Sequence, residues 1–209
     1  MSAQAAAVPV TLHRTTAPEE AARADFYALL AALLNAPPDA AFLANLAAAG
    51  ALEGDPTLAH AWQGLMRASA AMDADAAAEE YEALFAGVGK AVVSIYAGYY
   101  TGAPSRDHPR VRIQGALAAL GLARDPRAIE PEDHFAGLFE VMRVLVAGGA
   151  GRPAATLAEQ KHFYEEHVEA GAARFFAALG AAAQANYYRH VAAVGAAFTA
   201  IESQSFQLD

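Results

Sequence analysis

Along the chain, apolar residues recur every three to four positions in one segment after another, and proline, glycine and acidic residues separate the segments. Phe26, Leu29, Leu30, Leu33 and Leu34 form an i, i+3, i+4, i+7, i+8 stripe. This predicts a first helix over residues 18–34, with Glu19 and Glu20 in its first turn, where the helix dipole favours anions. Asn35-Ala36-Pro37-Pro38 ends it, because proline cannot continue a helix. Asp39 is placed to cap a short helix reaching about residue 49, before Gly50. Asp55-Pro56 suits the cap and first position of a third helix, which carries Leu58, Trp62, Leu65 and Met66 inward. Asp73 or Asp75 opens a fourth, which ends near Gly87 and presents Tyr81, Leu84 and Phe85 on one face. Further helices are predicted over residues 108–122, from the 130–134 stretch to residue 147, over 153–172 with a break near Gly171, and over 182–202. Phe135, Leu138, Phe139, Met142 and Leu145 form the stripe of the one ending at 147.

Residues 88–109 depart from this pattern. Val92-Val93-Ser94-Ile95-Tyr96 is strand-like but finds no partner strand in the sequence, and Gly98, Gly102, Pro104 and Pro109 break up the residues after it. A long ordered loop inside a helical domain often carries function. Tyr96, Tyr99 and Tyr100 give this one the amphipathic rings of a half-buried contact surface.

Composition agrees with the pattern. In 209 residues the hydrophobic fraction is 56% and the charged fraction 18%, with alanine dominant and β-branched residues sparse, so the expectation is an all-α fold. No fixed-period repeat and no convincing linker divides the chain. The expected organisation is a single helical-bundle domain of about eight or nine helices over residues 18–202, with a flexible tail at 1–17 and a polar, frayed one at 203–209. The net charge of −9 disfavours nucleic acid as partner, since phosphate binding needs a basic footprint. The arginines 106, 110, 112, 124 and 127 read as a solvated surface diluted by Asp107 and Asp125. The absence of cysteine excludes disulfides, thiolate chemistry and Cys-ligated metal. The N-terminal residues have no basic segment before their apolar run and do not read as a secretory signal. The longest uncharged stretches fall short of the roughly 18–20 residues of a membrane span.

Chemistry concentrates in Glu130-Pro131-Glu132-Asp133-His134. As a helix start, Pro131 suits the first helical position and Glu132 and Asp133 the dipole. As a site, the acids could bind guanidinium groups through charge-assisted hydrogen bonds, with His134 orienting the carboxylates. Spacing alone leaves both readings open. Enzyme machinery is not evident: there is no Gly-x-Ser-x-Gly elbow, phosphate-binding glycine loop or His-Glu-x-x-His. A di-iron bundle wants two Glu-x-x-His pairs, and the chain has one, Glu159-x-x-His162. His162 and His167 are five residues apart, about 140° around a helix. A helical bundle holding metal, heme or nucleotide is the alternative reading.

Glu130-Pro131-Glu132-Asp133-His134 resembles the E-P-x-D-H signature of the TorD/DmsD/NarJ family of redox-enzyme maturation chaperones. Tyr81-x-x-Leu84-Phe85 resembles that family's aromatic-x-x-Leu-Phe motif, and Ser94-Ile95-Tyr96 the S-[VI]-Y core of the loop after it, in the same order. The resemblance runs over about residues 20–198 and departs at Val92 and Val93, where relatives often carry proline and tryptophan. It implies a cytoplasmic, all-α, non-catalytic chaperone. Such a protein binds the twin-arginine signal peptide or N-terminal segment of an apo molybdenum-cofactor oxidoreductase, assists cofactor insertion and delays export until insertion is complete. It implies that Glu130, Asp133 and His134, with Pro131 beside them, line the polar end of a peptide site. Tyr81, Leu84 and Phe85 would form or support its apolar part, with Tyr96 and Gly102 in the loop. No cofactor is expected; weak guanine-nucleotide or molybdopterin-cofactor binding is associated with some relatives, and no phosphate loop here supports it. A monomer or a domain-swapped homodimer would fit the family.

Overall fold

In the computed structural model, which describes residues 18–86, 91–101, 109–124, 129–149 and 151–208, the first half of the chain is punctuated much as its sequence predicts. The expected N-terminal tail (residues 1–17), Gly87, Gly102, Arg106, Arg127 and Asp209 lie outside the described residues. Helix α1 (Pro18–Asn35) stops before the proline pair. Asp39 caps α2 (Ala40–Ala47), accepting the Phe42 N–H at 2.8 Å. Asp55 caps α3 (Pro56–Ala71), accepting the Thr57 and Leu58 N–H groups at 2.9 Å. Asp73, not Asp75, caps α4 (Ala74–Tyr81), accepting from Ala76 at 2.9 Å. The chain then continues into a π-helical turn, Glu82–Ala86, which contains Leu84 and Phe85. A one-turn α5 (Gly98–Thr101) and α6 (Pro109–Ala119) come next.

Helix α7 (Phe135–Ala147) is the centre of the core, and every residue of its predicted stripe is fully buried. α1 lies along one side of it, with Tyr27 against Phe139 at 6.1 Å between ring centroids. On the other side Phe135 stacks on Phe175 at 4.5 Å and Phe139 on Phe176 at 6.0 Å. Both partners belong to α9 (Ala170–Ala181). Helix α10 (Tyr188–Leu208) packs on α9 and α3. At Gly195 this approach is so close that an added Cβ would lie 2.2 Å from the Phe176 ring. The fold is all-α and a single helical domain; the described residues contain isolated β-bridges but no strand. Among them no helix is long and apolar enough to cross a membrane.

Several boundaries differ from expectation. The predicted break near Gly171 does not occur: α8 (Leu157–Tyr164, capped by Thr156) continues through a π-helical turn, Glu165–Glu169, into α9. Gly171 is there as a contact residue, since a Cβ would sit 3.2 Å from the Phe135 ring and 3.5 Å from Ala97. The last helix begins at Tyr188 rather than near residue 182, because the Glu80 carboxylate accepts the N–H groups of Asn186, Tyr187 and Tyr188 at 2.8–2.9 Å. That side chain satisfies donors a helix start leaves orphaned. The helix also outlasts its expected end at Glu202, so residues 203–208, expected to be frayed, are helical. Glu202 is buried and held by Arg23 at 2.8 Å and by the Tyr27 hydroxyl at 2.7 Å. Beyond it, Phe206 packs on Tyr164 at 5.2 Å, and the Lys161 ammonium donates to the Phe206 carbonyl.

Candidate functional site

The strand-like stretch does find a partner, and the partner is the acidic stretch itself. The Ala97 N–H donates to the Asp133 carbonyl at 2.8 Å and the Phe135 N–H to the Ile95 carbonyl at 3.1 Å. These bonds make an isolated antiparallel bridge between Tyr96 and His134. The same loop is tied to the π-helical turn, where the Val93 N–H donates to the Leu84 carbonyl at 3.0 Å. Backbone hydrogen bonds thus join all three motifs singled out in the sequence.

The helix-start reading is corrected by this geometry. α7 begins at Phe135 with His134 as its N-cap, so Pro131 is not at its first position and Glu132 and Asp133 are not in its first turn. The imidazole does the capping: His134 Nδ1 accepts the Ala136 N–H at 3.2 Å. Nδ1 must then be unprotonated, and burial supports this by lowering the His134 pKa, with Glu130 and Asp133 opposing more weakly.

Around this clasp the side chains converge. The Tyr96 hydroxyl donates to Glu130 Oε2 at 2.7 Å, and its ring stands edge-on to His134 at 5.5 Å. Burial, and then the Glu130 carboxylate, push the Tyr96 phenol up to about 12. Tyr81 donates to the Leu34 carbonyl at 3.1 Å and packs edge-on against Phe85 at 5.0 Å. Its phenol is raised by burial first and by Glu130 second, which puts the fourth-helix motif within electrostatic reach of the acidic one. Leu84 is fully buried and Phe85 rests on Tyr188, so both support the site from within the core. Glu132 accepts from Gln114 at 2.9 Å; that hydrogen bond, with backbone bonding and then Arg124 and Arg110, holds its carboxyl below the ordinary value. Asp133 is buried against the Cα of Gly98, where an added Cβ would come within 2.9 Å of Oδ2.

The arginines are not all a solvated surface. Arg112 does pair outward with Glu166 at 2.5 Å. Arg124, however, donates to the Glu130 carbonyl at 2.8 Å, and Arg110 lies over Glu132 and Asp133.

Beside the clasp a cleft of about 380 Å³ opens between α6 and α7. Leu117, Leu122, Val141 and Val144 give it apolar walls, and Glu130, Glu132, His134 and Glu140 stand at its edge. A shallower continuation toward α1 shares Asn35, Gly137 and Glu140 with it. Tyr81, Leu84, Phe85 and Tyr96 do not line this cleft; Tyr96 meets its acidic edge through Glu130. Sequence reasoning missed the cleft walls. The available signal was that Val141 and Val144 lie off the core stripe of α7, giving that helix a second apolar face. An apolar slot edged by carboxylates suits a segment that is apolar along its length and cationic at one end. Among the described residues no three His, Asp or Glu side chains gather as a metal site.

Comparison with curated proteins gives no match. The family model described as nitrate reductase delta subunit matches residues 52–177, more than half of the chain, and spans the motifs at Tyr81, Ser94 and Glu130. The chain therefore belongs to the nitrate reductase delta subunit family, a family of molybdoenzyme maturation chaperones rather than catalysts.

Proposed function

We propose that the protein is a cytoplasmic, client-specific chaperone. It binds the twin-arginine signal peptide or N-terminal segment of an apo molybdenum-cofactor oxidoreductase, assists cofactor insertion and holds back export until insertion is complete. The observation that carries this reading is the composite site. An apolar cleft beside α7 is edged by Glu130, Glu132 and His134, and Asp133, Tyr96 and Tyr81 stand immediately behind them. Acids beside an apolar slot match a ligand that is basic at one end and apolar in the middle. Buried carboxylates gain more from a guanidinium than exposed ones do, because water screens the pair less.

The test is titration calorimetry with two synthetic peptides. One carries two consecutive arginines and then an apolar stretch; the other has both arginines replaced by glutamine. The expected result is saturable binding of the first, weakening as salt is raised, and markedly weaker binding of the second. Equal binding of both peptides, or of neither, would remove the basis for this function.

A further inference from the structure

Four carboxylate oxygens around the cleft are already engaged within the chain. Glu130 Oε2 accepts from Tyr96 at 2.7 Å, Glu132 Oε1 from Gln114 at 2.9 Å, and both oxygens of Glu140 from Arg143 at 2.6 and 2.8 Å. Glu132 Oε2 and Asp133 Oδ1 are different. Both face the Arg110 guanidinium, whose Nε lies 3.9 Å from one and 3.8 Å from the other. These are ion-pair separations, about 1 Å longer than the charge-assisted hydrogen bonds such groups normally make. Asp133 is only 6% exposed, yet its Oδ1 has no hydrogen-bond partner among the described residues. A buried carboxylate oxygen is ordinarily hydrogen-bonded. Gly98 lies against Oδ2 of that carboxylate, and Arg110 lies over Oδ1. The Arg110 side chain is itself 46% exposed.

We infer that Arg110 is a resident stand-in for a guanidinium of the ligand. An incoming arginine displaces it and makes with Glu132 and Asp133 the hydrogen bonds that Arg110 leaves unmade. Arg110 then has two effects. It neutralises two acids until a ligand arrives, and it raises the threshold a ligand cation must pass. A planar fork that engages both carboxylates clears that threshold more readily than the point charge of a lysine, so the displaced arginine sets selectivity for arginine. The inference rests on the peptide-binding reading above and deepens it.

The experiment uses the full chain with Arg110→Gln, which removes the charge and keeps a polar atom at the Nε position, and Arg110→Lys, which keeps the charge without the fork. Each is titrated with the arginine peptide, its glutamine counterpart and a third peptide carrying lysines. Losing a partly exposed competitor should tighten arginine-peptide binding by roughly two- to fivefold in Arg110→Gln. That gain should be absent for the glutamine peptide and largely absent in Arg110→Lys, and the arginine-over-lysine preference should narrow in Arg110→Gln. Binding unchanged or weaker in Arg110→Gln, with wild type still preferring the arginine peptide, overturns the stand-in and leaves the function intact. A gain of equal size for the glutamine peptide also overturns it, since the effect would then be steric. Wild type that fails to distinguish arginine from glutamine overturns both.

Discussion

Asp133→Ala separates a binding carboxylate from a structural one. The substitution removes a carboxylate whose side chain is 9% exposed and whose nearest cation among the described residues, the 46% exposed Arg110, stands 3.8 Å away. Solvent screening limits such a half-exposed pair to about 0–1 kcal/mol. The opposing term is the cost of keeping an acceptor buried without a hydrogen bond, on the order of 1 kcal/mol, which the variant is spared. The two nearly cancel, so the expected change in stability is within about 0.5 kcal/mol. For a chain of this size that is a melting shift of about 2 °C or less. The backbone role of Asp133, accepting the Ala97 N–H at 2.8 Å, is untouched. Asp73→Ala is the control, because it deletes a true N-cap acceptor and should cost about 1 kcal/mol, or about 2–4 °C. Thermal and urea melts measure the two side by side, and calorimetry with the arginine peptide is then run on the same preparations. Loss of charge-assisted hydrogen bonds at about 1.5–3 kcal/mol predicts roughly 10- to 100-fold weaker binding for Asp133→Ala and none for Asp73→Ala. If Asp133→Ala melts as low as Asp73→Ala and binds like wild type, the carboxylate is structural and its role in binding is refuted.

Glu80→Ala removes the acceptor of three backbone N–H groups at the start of α10 and should lower stability by roughly 1–3 kcal/mol, read as a lower urea midpoint at unchanged slope. A loss under about 0.5 kcal/mol would show that the start of α10 is held by other contacts. For His134 the sign comes from its lowered pKa: the unfolded chain takes up a proton near the ordinary 6.5 that the folded chain resists. Stability is therefore fully present above that pH and declines as pH falls through 6.5 toward the folded value. His167 and His190 are shifted the same way, so His134→Asn, which keeps a capping acceptor without titrating, should flatten only part of the slope. An Asn variant whose stability-versus-pH curve parallels wild type from about pH 7.5 to 5 would refute the assignment.

The aspartate caps and the α7 stripe were legible because each depends on residues within a few positions of one another. Asp39, Asp55 and Asp73 act on N–H groups two or three residues away, and Phe135 to Leu145 repeat at the helical period. The features that stayed hidden depend on distant residues. Glu80 sets where α10 begins from more than a hundred residues upstream, and Arg23, Tyr27 and Lys161 hold its far end. At the site, the residue types of the acidic stretch were legible and their conformation was not. Proline before a run of acids suggests a helix start, but the segment closes a turn at Pro131–His134, pairs with residues 95–97 and passes the cap to His134. Arg110 and Arg124 look like solvent-facing charges until α6 and its connection fold over the clasp. The cleft walls likewise come from two helices, and neither announces the cavity by itself.

The π-helical turn at Glu82–Ala86 makes chain length as specific as chemistry in the fourth-helix motif. Such a turn closes its hydrogen bonds one residue later than an α-helix does. Deleting a single residue there would let the turn relax into ordinary α-helix while keeping the composition almost intact. One residue of helix is about 100° of rotation. Tyr81 and everything before it would swing by that angle relative to Leu84, parting the Tyr81 hydroxyl from the Leu34 carbonyl or turning Leu84 out of the core. The motif thus behaves as a gauge block: its spacing sets the angle at which the first half of the chain meets the acidic clasp.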